Sequence, residues 1–324
     1  MTSLLPAWRT LQLLMLAGLT CGGARAQPAG QSDPLVAVAP ATAGAATAAV
    51  APKALRADFE RVRHMALTDL FDRPLYLQSS EAADRLQGDV YTLVDHPYAQ
   101  VRQALVKAGP WCGILLLHLN MQYCRASGAV GHETLDAGLG RKFDQELAEL
   151  YWLRFEFAVQ RAGDDYLQVL LQSASGPLGT HDYRIAVEAL PWSEQQSLLH
   201  LRYGYSFGRA AGWAMQAYLT TLGSGKLGFS KVGVGPEGQA IWASGLRGVL
   251  ERNTLRYQMA IEAYLGSQTL PPEARLAQQL QDWFSATERY PLQLREIERQ
   301  AYLSMKQRQA LRQQRQAPPP RSTH

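Results

Sequence analysis

Cysteine is scarce in this 324-residue chain: there are three, and one of them, Cys21, lies near the N-terminus. That scarcity excludes a disulfide-dense scaffold, and no C-x-x-C pair or Cys/His set with zinc spacing occurs. Charge is thin as well, at 19% Asp, Glu, Lys and Arg with a formal net of +4. The stretch from Arg295 onward carries seven Lys/Arg against two Glu, and Arg9 and Arg25 sit at the front, so the body between is mildly acidic. A nucleic-acid-binding core would be basic, and this one is not. Beyond the N-terminal leader no run is long and uncharged enough to cross a bilayer as a helix.

Catalytic signatures are also missing. There is no H-E-x-x-H and no G-x-S-x-G. "GVGPEG" matches G-x-G-x-x-G at Gly233, Gly235 and Gly238, but Pro236 and Glu237 fall between two hairpin strands, so it reads as a turn. "GSGKLG" lacks the Ser or Thr that a phosphate loop needs after Lys226. No catalytic residue, metal site or cofactor is assigned.

What is present starts with a leader. "MTSLLPAWRTLQLLMLAGLTCGGARAQ" has one basic residue, Arg9, then an apolar stretch from Leu11 to Leu19, then small residues at Ala24 and Ala26. This is the pattern of a secretory signal peptide cleaved after Ala26, and it predicts an exported, periplasmic protein. A lipoprotein signal using Cys21 fits less well, because Leu19 and Thr20 are wrong for it; a retained anchor is the other alternative. Residues 27–53 are Ala, Pro, Gly and Thr with little periodicity and read as a flexible linker. A domain is expected over 54–266, a helical extension over 267–316 and a disordered tail over 317–324.

Removal of Cys21 leaves Cys112 and Cys124, set in "WCGILLLHLNMQYC" around His118. In an oxidising compartment two remaining cysteines are expected to pair. A disulfide needs Cα atoms within ~7 Å, whereas twelve residues of straight helix span ~18 Å and of strand ~40 Å. The run must therefore bend, from a short helix near Trp111–Leu116 into a strand near Leu119–Cys124. His118, flanked by Leu117 and Leu119, reads as a hydrogen-bonded core residue.

Alternation of apolar and polar residues is the clearest signal. "LYWLRFEFAVQ" sets Tyr151, Leu153, Phe155, Phe157 and Val159 on one face, against Arg154 and Glu156. Leu167, Val169 and Leu171 do the same in the next run, then Tyr183, Ile185 and Val187, then Leu199, Leu201, Tyr203, Tyr205 and Phe207. Four consecutive strands of period two, with one packed and one wet face, indicate an antiparallel sheet. Before them, "GDVYTLV" reads as a strand and "DHP" as the start of a helix that Gly109–Pro110 stops. After them comes "GRAAGWAMQAYLTTLG", a helix with Trp213, Ala214, Ala217 and Tyr218, the expected cover for the apolar face. A hairpin and further amphipathic helices follow.

Two polar clusters stand out. In "THDYR" His181 and Asp182 are neighbours on a strand and point to opposite faces, so they form no dyad without distortion. In "LERNTLRY" Arg252 and Arg256 are four apart on one helical face, an arrangement able to hold a carboxylate or phosphate headgroup. The competing reading is a solvated face with an Arg247–Glu251 pair.

The order of strand, helix, bend, antiparallel meander and long helix resembles the START-like (SRPBCC, helix-grip) superfamily. The likeness covers roughly 76–222, through "GDVYTLVDHPYAQVRQALVKAGPWCGI" and "GPLGTHDYRIAVEAL…LLHLRYGYSF…AMQAYLTTLG". The chain also resembles a family of exported bacterial proteins, from which no activity is carried over. The resemblance implies an α+β fold: a curved antiparallel sheet wrapped around a long helix, with additional C-terminal helices. It also implies a tunnel for an apolar ligand, a lipid first among them, lined by Phe155, Phe157, Val169, Tyr183, Ile185, Tyr203, Tyr205 and Trp213. His118, Arg252 and Arg256 are the candidates for its polar headgroup. The same aromatics can instead simply fill a core. The alternatives are then a cell-envelope interaction protein on a filled scaffold, or a cyclase- or hydrolase-like enzyme using His118, Tyr183 or Arg184. Expected partners are an apolar small molecule or lipid and, through the basic C-terminal tail, an anionic membrane surface. No nucleic acid is expected, and no protein partner is named.

Overall fold

The computed structural model describes residues 44–64, 71, 73–208 and 227–316. Helix α1 (Gly44–His64) precedes a hairpin of β1 (Leu75–Glu81) and β2 (Arg85–Val94). Helices α2 (Tyr98–Leu105) and α3 (Ala108–Leu117) then carry the chain to the far edge of the sheet. There β3 (Met121–Ser127) opens a meander through β4 (Glu133–Leu139), β5 (Tyr151–Ala162), β6 (Leu167–Ser175), β7 (Thr180–Pro191) and β8 (Ser197–Phe207). The strand order is β1-β2-β8-β7-β6-β5-β4-β3, with every neighbour antiparallel. Pairing of β8 with β2, Leu201 opposite Val90, joins hairpin and meander into one eight-stranded sheet.

A small hairpin, β9 (Lys231–Val234) and β10 (Ala240–Trp242), leads to the long helix α4 (Gly245–Gly266). Then come α5 (Pro272–Glu288), the single turn α6 (Pro291–Leu294) and α7 (Arg299–Arg315). This is the α+β class expected: an antiparallel curved sheet, a long helix on it, and C-terminal helices beyond. The expected covering helix around Trp213 lies outside the described residues. Among the described residues, α4 is the long helix on the inner face, packing on β1, β2, β8 and α3. The approach is close: a side chain on Gly88 of β2 would meet Thr254 Oγ1 at 2.4 Å.

Period-two patterning survives in the centre of each strand. Leu153, Phe155 and Phe157 are buried on β5 while Arg154 and Glu156 are exposed; at the ends Tyr151 and Val159 come back to solvent. The outer face is not uniformly wet, contrary to the sequence expectation. Leu55, Phe59 and Val62 of α1 press onto Tyr91, Leu190 and Leu198 and form a second core beneath the helix. Phe59 meets Trp192 edge-on at 5.1 Å.

Other boundaries shift for local reasons. Helix α1 begins at Gly44, inside the segment read as linker, because its Ala-rich sequence suits a helix as well as a coil. Gly109 and Pro110 do not end α2; they sit in the first turn of α3, where a missing N–H costs nothing. Strand β4 gave no sequence signal because its inward face carries only Leu135, the small Ala137 and the half-buried Leu139.

The C-terminal helices belong to the same core. Trp283 of α5 and Tyr302 of α7 are fully buried and stack at 4.9 Å. Helix α7 also seals β3, an edge of the sheet, where backbone groups would otherwise lack partners. The Cys124 N–H donates to Gln313 Oε1 at 2.8 Å, and buried Lys306 donates to the His118 and Met121 carbonyls at 2.7 Å each. Several basic side chains of this region have partners inside the protein, Arg299 on Glu288 and Arg308 on Asp144.

Cys112 on α3 and Cys124 on β3 form the expected disulfide, with Cα atoms 5.1 Å apart. The bend between them falls at His118, which caps the C-terminus of α3 instead of lying on a strand. Replacing both cysteines by serine should lower stability by about 3 kcal/mol, read as an earlier urea midpoint with unchanged slope. An unchanged midpoint would show that the bridge constrains nothing.

Candidate functional site

Alternation on β5 to β8 turns Phe155, Phe157, Val169, Tyr183, Ile185, Tyr203 and Tyr205 into one buried cluster against α4. Seven of the eight expected lining residues thus share one interior; the eighth, Trp213, is outside the described residues. Their rings form a continuous path. Tyr183 stacks on Tyr205 at 5.1 Å, Tyr205 leads to Tyr203 at 6.0 Å, and Tyr203 meets Tyr257 of α4 at 5.1 Å. Tyr257 in turn stacks on His118 at 4.8 Å.

The Tyr183 hydroxyl lies 2.9 Å from Thr180 Oγ1. The hydroxyls of Tyr203, Tyr205 and Tyr257 are not among the fully buried polar atoms that lack a partner. Burial holds all four phenols above their ordinary value, reinforced for Tyr203, Tyr205 and Tyr257 by neighbouring tyrosines.

At the His118 end the path becomes polar. His118 Nε2 is 3.3 Å from Asn253 Oδ1, and the Asn120 N–H donates to its Nδ1 at 3.3 Å. Burial, then the charges of Arg256 and Lys306, push the imidazole well below its ordinary value, against the Asn253 hydrogen bond. Arg252 and Arg256 are 4% and 3% exposed, which overturns the solvated-face alternative; the Arg247–Glu251 pair does form, at 3.3 Å, but on a wholly buried Glu251. Both arginines donate to Glu296 Oε1, Arg256 at 2.7 Å, and Lys142 pairs with the same carboxylate. Burial draws Arg252 down to about 10, and burial together with the Arg252 charge draws Arg256 to about 9, so both stay charged at neutral pH. Burial likewise pulls Lys306 down to about 7, opposed by Asp144. The structure therefore brings His118, Arg252 and Arg256 together beside the aromatic cluster.

Sequence reasoning missed Glu296 and Lys306, which come from distant segments of the chain. It also missed a charged node on the outer face. There His200 sits between Asp89 and Glu188, 2.8 Å from each, with Tyr91 stacked on its ring at 4.1 Å. Burial would lower His200, but the hydrogen bonds and charges of the two carboxylates outweigh it and raise its pKa. Burial would likewise raise Asp89, yet His200 and Arg202 hold it at about 2. This node lies on the opposite face from the tyrosines and reads as a satisfied buried ion network.

His181 and Asp182 do pair, at 2.8 Å, although strict alternation separates them. Asp182 has φ of 53°, in the left-handed region, and the β7–β8 register slips between His181 and Arg184. This extra residue puts His181, Asp182 and Arg184 all on the exposed side. Two clefts of about 410 and 270 Å³ open there, bordered by Tyr183 and Tyr205 respectively. A third, of about 390 Å³, runs along β1 between Leu75 and Phe229, away from the aromatic path.

One consequence concerns acidity. The fold keeps His118 neutral, so below its ordinary value of 6.5 the unfolded chain takes up a proton that the folded chain refuses. Stability should fall by about 1.4 kcal/mol per pH unit as pH drops from 6.5. His118→Gln should remove that slope in urea titrations between pH 6.5 and about 4.5; an unaltered slope would mean another group is responsible.

No family model matches the chain, and no curated protein does. Among solved structures it is similar to truncated norcoclaurine synthase from Thalictrum flavum, at 13% identity and a TM-score of 0.31 over 45% of this chain and 90% of that one. It is also similar to Ara h 8.0201, at 9% and 0.34 over 57% and 99%. Human StAR-related lipid transfer protein 5 is similar at 10% and 0.31, over 50% and 84%. Likenesses this weak say nothing of what the chain binds, and the fold rests on the strand order and helices described above.

Proposed function

We propose that this is an exported protein that binds an apolar small molecule on the inner face of its sheet, with a lipid as the leading class. The observation that carries the reading is the run of buried rings on the inner face, Tyr183 to Tyr205 to Tyr203 to Tyr257, that ends on the polar His118. Rings give a guest dispersion and apolar surface, while phenol hydroxyls offer hydrogen bonds to whatever polar atoms it carries. Phe155, Phe157, Val169 and Ile185 supply the aliphatic and aromatic floor. The ring path ends at His118, a polar terminus suited to an amphiphile.

Export is supported by the leader pattern through Ala26 and by the Cys112–Cys124 disulfide, which persists in an oxidising compartment. Expression of the full chain in a bacterium should yield periplasmic protein whose N-terminal residue is Gln27, read by intact mass. Cytoplasmic protein retaining Met1 would reject export.

Binding is tested on the same material. Organic extraction and native mass spectrometry should show a co-purifying apolar compound, or a panel of fluorescent fatty acids should bind. Tyr257→Phe keeps the ring but removes a hydroxyl, and should weaken binding by about 1 kcal/mol, some fivefold. Neither extract nor probe binding would leave the domain as a filled scaffold.

A further inference from the structure

Resting on that binding reading, the geometry assigns a place to the guest's charged end. We propose that Arg252 and Arg256 seat an anionic group, a carboxylate or a phosphate, and that Glu296 fills this seat while the interior is unoccupied.

Both guanidiniums are removed from solvent, a costly state unless the charge is met by an anion. They stand one turn apart on α4, with Asn253 between them bonded to His118 at the end of the ring path. An amphiphile lying along Tyr205, Tyr203 and Tyr257 would bring its head to this point.

The seat is only partly used. Each guanidinium offers a fork of N–H donors. Among the described residues Arg252 is satisfied only through Nη2, on Glu296; Arg256 uses only Nη2, on Glu296 and on the Leu294 carbonyl at 3.2 Å. Arg256 Nε is buried without a partner. Both arginines converge on one oxygen, Oε1, where a carboxylate or phosphate could be gripped by two oxygens at once.

Glu296 has the marks of a stand-in. It lies between α6 and α7, on a connection whose neighbours Arg295 and Glu298 are exposed, so it is not held by a helix of its own. It brings to the pair the chemistry that a fatty acid or alkyl phosphate head would bring. Displaced, it keeps Lys142 as a partner.

Three probes of equal chain length separate the cases: a fatty acid, an alkyl phosphate and a fatty alcohol, titrated by calorimetry into the wild-type protein. The acid or the phosphate should bind at least about tenfold tighter than the alcohol, and their order identifies the head. Glu296→Gln should widen the gap by vacating the seat. Arg252→Met combined with Glu296→Gln, which avoids stranding a buried carboxylate, should close it while the alcohol still binds. If all three probes bind the wild type equally, the anion seat falls and the apolar reading stands. If none binds, both fall. An unchanged gap in Glu296→Gln, with a wild-type urea midpoint, overturns the stand-in role.

Discussion

Helix α4 can lie on β2 only because residue 88 has no side chain, and much of the interior follows from that contact. Thr254 fills the space at Gly88 and turns its hydroxyl back to the Leu250 carbonyl, 2.8 Å away. With the helix seated so low, its faces divide the work. Glu251 turns toward the entry of the small hairpin and accepts N–H bonds from Phe229 and Ser230 at 2.6 and 2.8 Å. Tyr257 and Asn253 turn to the aromatic path and to His118, and Arg252 and Arg256 turn to the C-terminal connection. A larger residue at 88 would lift the helix and loosen all three contacts together.

Charge is partitioned by the sheet. On the outer face His200 is clamped by two carboxylates, and its protonated form is favoured. On the inner side His118 lies among cations, and its neutral form is favoured. The same residue type thus has opposite states on opposite faces, set by which charged groups the neighbouring elements deliver. The inner cluster is the less self-contained of the two. Each nitrogen of the His200 ring meets a carboxylate, whereas on the inner side Arg256 Nε is buried without a partner among the described residues.

Helix α7 shows how a basic, polar segment becomes structural. Its sequence has few apolar residues, and by composition it reads as a solvated tail. Yet Lys306 and Gln313 meet the backbone groups that an edge strand leaves open, and Tyr302 reaches the Leu117 carbonyl at the bend. Lys306 and Tyr302 are buried and Gln313 half-buried, each serving a distant partner that composition does not reveal.

Much of the fold is legible in the sequence. A strand alternates its side chains by local geometry, so period two on β5 to β8 assigned Phe155, Val169, Ile185 and Tyr203 to one interior. A signal-like leader plus two remaining cysteines implied the Cys112–Cys124 bridge, and the bridge required a bend. Where local rules broke, a local cause was responsible: one additional residue in β7 placed His181 beside Asp182, and an Ala-rich stretch extended α1 back to Gly44. What only the tertiary structure decided is which segments meet. The burial of Arg252 and Arg256, their sharing of Glu296, the cover of α1 over Tyr91 and Leu198, and the anchoring of Lys306 all join residues far apart in the chain. Periodicity reports which way a side chain faces, and it holds no information about what will arrive on the other side.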